Sequence, residues 1–253
     1  MRLPAEEPPE EQLGALLALT GTELEVLEAA HLSGLIGSQP PVAGEEAAEA
    51  GWVEAIRSLT ARGLVTRDGR IADGTPAGQV TQTVLDVRLG AGTVVVVERL
   101  LGDPEHPRDL RLLHLLPVGA VIEDVHPDGI HGFDLLLGPD QLAGAVTDLL
   151  VPPGVDGGSP GRRRDGSVGP VVVNPEEVDL LPARLGHPTV LAELTLLRDG
   201  DRVEGHLVAL GPAGCWAAAR QEGPARFDPV TADWLRSLVS AWVEGVGGGS
   251  PTG

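Results

Sequence analysis

The chain has 253 residues, enough for one large domain or two small ones with a sizeable core. Its formal net charge is −19 and all 18 basic residues are arginine, so its surface repels phosphate backbones and anionic membranes and argues against nucleic-acid partners. A single cysteine, Cys215, excludes an internal disulfide framework and any multi-cysteine zinc site.

Residues 1–12, MRLPAEEPPEEQ, read as a disordered acidic arm and lack the basic-then-apolar order of a signal peptide. No apolar run approaches the length of a membrane span, so a cytoplasmic protein without membrane insertion is expected. A first helix is expected from Thr22, where TELE offers a Thr-x-x-Glu capping box. A second, EEAAEAGWVEAIRSLTARG, carries Trp52, Ile56 and Leu59 on one stripe and stops at Gly63. LVTRDGRIA then alternates around an Asp-Gly turn and reads as a short hairpin.

Two helices and a hairpin also describe a winged-helix unit. A recognition helix needs a cationic face, yet only Arg57 and Arg62 are present, against Glu45, Glu46, Glu49 and Glu54. Packing on the rest of the protein is the better account.

From residue 80 the period is that of strands: VTQTVLDVRL, TVVVVERLL, RDLRLLHLL, AVIEDVH and IHGFDLLL. A helix follows, with Pro139 in its first turn. Residues 152–170 form a Gly/Pro-rich linker containing the cationic run GRRRDG. NPEEVDLLPARLG begins a short helix, with Asn174 as cap and Pro175 at its first position. Strands resume with TVLAELTLLR, an Asp199-Gly200 turn, RVEGHLVAL and CWAAARQ. FDPVTADWLRSLVSAWVEG is expected as a helix capped by Asp228, and residues 245–253 as a disordered tail.

The two stretches of strands correspond. Thr93, Val94, Leu100, Leu101 and Asp103 match Thr189, Val190, Leu196, Leu197 and Asp199. After a two-residue deletion, Arg108, Leu113 and Leu116 meet Arg202, Leu207 and Leu210. Gly129, Phe133 and Asp134 then meet Gly223, Phe227 and Asp228, which accounts for the only two phenylalanines. In the helices, Leu142, Val146, Leu149 and Leu150 fall against Leu235, Val239, Trp242 and Val243, one apolar stripe in each. This implies an internal duplication: two strand-meander/helix halves joined through their strands into one sheet with quasi-twofold symmetry, helices covering it. Each Phe is expected to plug the point where strands hand over to a helix.

No nucleophile elbow, phosphate loop, dinucleotide fingerprint or His-Glu-x-x-His is present. Glu123, Asp124, His126, Asp128 and His131 lie within nine residues and have metal-ligand chemistry, but a solvated hairpin tip is the simpler account. No catalytic, cofactor or metal residue is assigned. An enzyme or small-molecule binder remains the alternative, and it requires a polar cavity at the pseudo-dyad drawing on His114, Glu123 and His206.

From WVEAIRSLTARGLVTRDGRIA through the two strand-and-helix halves, about residues 20–244, the layout resembles the EspG family, cytosolic chaperones of type VII (ESX) secretion in actinobacteria. The resemblance implies an α+β fold with a central, mostly antiparallel sheet. Residues 13–244 would form one domain, with 13–151 and 171–244 as its halves. It also implies a monomer or weak homodimer that needs no chemistry or cofactor. Such a protein keeps a helical, PE–PPE-like substrate soluble by covering its apolar tip. In that family a long loop between two early strands meets the substrate, together with the sheet face. The matching segment here is LLGDPEHPRDL, which makes Asp103, Glu105, His106 and Arg108 the candidate contacts.

Overall fold

A computed structural model describes residues 16–33, 46–101, 109–136, 138–151 and 157–247. The first half contains β1 (Leu17–Thr20), α1 (Gly21–Ser33), α2 (Glu46–Ala61) and α3 (Pro76–Gly90). A meander follows, β2 (Thr93–Leu101), β3 (Asp109–Leu116), β4 (Gly119–Val125) and β5 (Ile130–Leu136), and then α4 (Pro139–Leu150). The second contains β6 (Val171–Val173), a strap made of a 3-10 helix (Pro175–Leu180) and α5 (Leu181–Arg184), then β7 (Val190–Arg198), β8 (Asp201–Gly211), β9 (Gly214–Ala219), β10 (Ala225–Val230) and α6 (Ala232–Gly247).

The ten strands make one sheet in the order β1-β5-β4-β3-β2-β7-β8-β9-β10-β6, antiparallel in every ladder. The fold is α+β. Each half runs edge strand, helical segment, meander, helix, and the halves meet where β2 pairs with β7.

The ladders define the equivalences. Leu116 pairs with Gly119 across one turn and Gly211 with Gly214 across the other, which superposes Pro117-Val118-Gly119 on Pro212-Ala213-Gly214. Followed outward, Asp134 falls on Asp228 and Phe133 on Phe227, as the sequence match has it. Followed inward, Val97 falls on Leu194, and these two are also direct cross-strand partners, so the pseudo-dyad passes between them. Here the sequence match is one residue out: Thr93 corresponds to Val190, and Leu113 to Val208. A one-residue slip turns every side chain to the opposite face. Val95 and Val97 share a core with Val190, Ala192 and Leu194, so matching Val97 with Glu193 would point a carboxylate into it.

That core lies on one face of the sheet, under α4 and α6, which pack side by side. Leu142, Val146 and Leu150 from α4 and Leu235, Val239 and Trp242 from α6 fill it. The opposite face carries α1–α3 over the first half, enclosing Val121 and Phe133; over the second, among the described residues, it carries the strap above Phe227 and the linker at Gly161 against Trp216. Each phenylalanine therefore sits mid-strand on the face away from α4 and α6, not at a strand-to-helix handover. Asp228 is likewise inside β10, paired with Ala217, and does not cap α6.

Local chemistry accounts for two further differences. Residues 80–89 are helical: the Thr75 hydroxyl accepts from the Gly78 amide at 3.0 Å and Pro76 occupies the first turn, so α3 starts ahead of the β-branched run. The capping box of α1 is Thr20 with Glu23, each side chain bonded to the other's amide, rather than one starting at Thr22. The Asp199-Gly200 turn forms as expected, with φ of 50° and 86°. At both sheet edges an arginine donates to an edge-strand carbonyl, Arg62 to Ala18 and Arg184 to Val172.

Candidate functional site

Among the described residues, the covers on the second face leave the middle of the sheet open. Between α3 and the strap, Val96, Leu110, Leu112 and Leu191 are partly exposed on adjoining strands. On the strap side the floor deepens into a groove of about 310 Å³. Leu191, Leu207 and Phe227 of the sheet and Val178 and Leu181 of the strap line it, and Glu98, Glu193 and Arg220 edge it. The groove continues under the strap into a second cavity of about 250 Å³ that shares Val178, Leu181, Leu207, Arg220 and Phe227. The strap itself shows apolar surface to solvent, with Val178 60% and Leu180 50% exposed. A short strap with no buried residue of its own covers less floor than three helices do, so apolar area is left uncovered.

The charged rim is organised around Glu193, which pairs with Arg202 and Arg220, each at 3.0 Å. Glu98 stands directly across from it on β2. Two carboxylates meeting at the strand junction would repel, and the two guanidiniums offset that charge. The site is thus an apolar floor with a balanced ionic border, suited to accepting apolar side chains from a partner rather than to proton transfer.

The candidate contacts Asp103, Glu105, His106 and Arg108 lie outside the described residues. The strands leading into and out of their segment are placed: Leu101 pairs with Val190, and Arg99 forms an ion pair with Asp109 while donating to the Leu149 carbonyl at 2.6 Å. Glu98 of the groove lies three residues before Leu101, the last described residue of β2.

The polar groups of the alternative reading do not converge. His114 and Glu123 are buried beneath α3, whereas His206 lies on the other face, edge-on to Trp234 at 5.4 Å, with Glu204 accepting from both its ring and Trp242. The histidine- and acid-rich hairpin also divides. Asp124 pairs with Arg111, His131 with Glu123 on the opposite face, and Asp128 accepts from the Ile130 amide at the exposed tip. Among the described residues no group of three or more His, Cys, Asp or Glu is arranged to hold a metal ion. Burial pushes the Cys215 thiol up to about 12. On the would-be recognition helix, Trp52, Ala55 and Leu59 face the core, and Arg62 is committed to Glu23. In the linker, Gly161 passes over Trp216 so closely that a Cβ would lie 2.2 Å from the indole.

Sequence reasoning missed the groove residues. Their signal is present in β7 and β8, where Leu191 and Leu207 add apolar residues to the face opposite the helix-covered core. Strands apolar on both sides have both sides covered, by the chain itself or by something else.

No protein-family model matches the chain, and no curated protein matches it by sequence. Its fold is similar to that of the Mycobacterium tuberculosis type VII secretion system chaperone EspG5, solved in complex with a PE25–PPE41 dimer. The TM-score is 0.55 at 14% sequence identity, covering 92% of this chain and 98% of that one. No described helix is long and apolar enough to cross a membrane.

Proposed function

We propose that this chain is a non-enzymatic chaperone of the EspG kind that binds a helical, PE–PPE-like substrate of type VII secretion in the cytoplasm and keeps it soluble. The observation that carries this reading is the fold likeness over nearly the whole of both chains to a chaperone solved with such a dimer. The open floor supports it: an apolar helical tip seated on Leu191, Leu207 and Phe227 would remove two apolar surfaces from water at once. Asp103, Glu105, His106 and Arg108 are the further contacts proposed for that tip. Residues 13–244 would act as one domain that arose by internal duplication, working as a monomer or weak homodimer.

Co-expression with a PE–PPE-like helical pair encoded beside this gene tests the reading. A complex of one copy of each chain, retained through size exclusion and unaffected by chelators, is the expected result. Failure to retain any such pair removes it. A small-molecule ligand is the second reading, favoured by the groove's size at the lower end of ligand sites. It predicts a thermal shift with an apolar compound and no protein complex.

A further inference from the structure

Glu123, in the middle of β4, is 1% exposed and faces the α1–α3 layer. One of its oxygens accepts from His131 Nδ1 at 2.7 Å. The other accepts from His114 Nε2 at 2.9 Å and from Arg88 Nε at 2.8 Å. An ionised carboxylate only accepts, so both imidazole nitrogens are donors here. Arg88 of α3 also pairs with Glu28 of α1. One chain of charge-assisted bonds therefore runs from α1 through α3 to β4, and from there to β3 and β5. The neighbouring pairs on this side, Glu23 with Arg62 and His31 with Asp86, stand apart from Glu123.

The other half shows what the sheet does without this set. By the ladder equivalences, His114, Glu123 and His131 become Ala209, Ala218 and Ala225. Trp216 fills the space in the same layer, and the roof there rests on apolar contacts, Leu181 and Leu185 among them, with Arg184 donating to the Val172 carbonyl at the sheet edge. The strand framework thus forms with alanine at all three places. The polar set belongs to the α1–α3 roof.

We propose that the Glu28–Arg88–Glu123–His114–His131 network is an acid-operated latch, which clamps the α1–α3 layer to its half of the sheet while Glu123 is ionised and lets that layer open ahead of the rest once Glu123 is protonated. A protonated carboxyl cannot accept all three bonds, so the buried His114 and its fellow donors compete for what acceptor remains and Arg88 is left with Glu28 as its one firm partner. The layer can open as a unit because its apolar contacts form a cluster separate from the one under α4 and α6. The pH window follows from the carboxyl itself: burial raises its pKa, but the His114 and Arg88 bonds, the Arg88 charge and the His131 bond outweigh this and hold it at about 2, against an ordinary 4.5. The clamp is complete above 4.5 and weakens toward 2.

Amide hydrogen exchange on the full chain from pH 7 to pH 2.5, corrected for the intrinsic pH dependence, tests the latch. Protection of α1 and α3 is expected to fall at least tenfold further than that of β7 and β8 as pH drops below 4.5. Glu123→Gln should show the opened layer already at pH 7. Replacing the whole set by apolar residues (R88L/H114A/E123A/H131A) should remove the part of the layer's pH response that Glu123 contributes, leaving the part due to Glu23. The latch is overturned if α1 and α3 lose protection in step with β7 and β8 in the wild-type chain, or if the fourfold variant keeps the wild-type profile. Both comparisons hold even where Glu123→Gln does not fold.

Discussion

Phe133 and Phe227 occupy equivalent points of β5 and β10, both essentially without exposure, yet they sit under different roofs: three helices over the first, a ten-residue strap over the second. Phe227 lines a groove, whereas Phe133 is enclosed beneath α1–α3. Substituting either by leucine is expected to cost about 1–2 kcal/mol of stability, read from denaturant midpoints. Only Phe227→Leu should also weaken retention of a helical partner in pull-down. Equal loss of retention in both variants would move the binding surface elsewhere.

Stability is expected to fall in acid. The carboxyls of Glu123, Glu23 and Glu204 are all held below the ordinary Glu value, in each case because hydrogen bonds to the charged form outweigh burial. A depressed folded-state pKa contributes stability that is present above 4.5 and lost as pH falls through the folded value. For Glu123, the drop from 4.5 to about 2 corresponds to about 3 kcal/mol at neutral pH. Urea midpoints measured from pH 7 to pH 3 should decline below 4.5, and Glu123→Gln should flatten that decline while lowering the plateau.

Gly161→Ala tests the linker's seat on the sheet. A Cβ there would meet Trp216 Cε2 at 2.2 Å, so the loop or the indole must move. A loss of about 1–3 kcal/mol is expected, with a red shift of tryptophan emission as Trp216 meets water. Gly166→Ala probes backbone strain alone: no atom lies within 4 Å of its Cβ, and its φ is 82°. It should leave the emission spectrum unchanged.

Cys215 should not react with a thiol reagent in the native protein, because it is fully buried and burial pushes its thiol up to about 12. Its labelling rate in increasing urea then reports opening of β9, and fast labelling without denaturant would contradict the packing described for that strand.

The parts of this fold that were legible in the sequence are those where side-chain chemistry is local. The Asp199-Gly200 turn, the apolar stripes of α4 and α6, and the paired Phe-Asp steps could each be read from a few residues. Two meanders joined through their strands followed from these. What escaped depended on contacts distant in sequence. Val80, Thr81, Thr83, Val84 and Val87 favour a strand by propensity, and a helix forms because Thr75 and Pro76 start one and the sheet buries its Thr81, Val84, Leu85 and Val87 face. The four residues of β1 become a strand only by pairing with β5, more than a hundred positions away. Alternation in β2 and β7 was visible, but a Val/Leu-rich strand reads almost equally well one residue out of register. The open floor was hidden for the same reason: Leu191 and Leu207 look like ordinary core residues until the brevity of the strap above them is known.

The arginines that cap β1 and β6 have a bearing on any role that brings sticky polypeptides close. A ten-stranded antiparallel sheet is a natural template for fibril growth at its margins. With Arg62 holding the Ala18 carbonyl and Arg184 that of Val172, an incoming strand meets a positive charge and an acceptor already taken. Both margins of the sheet are thereby made poorer templates for strand addition.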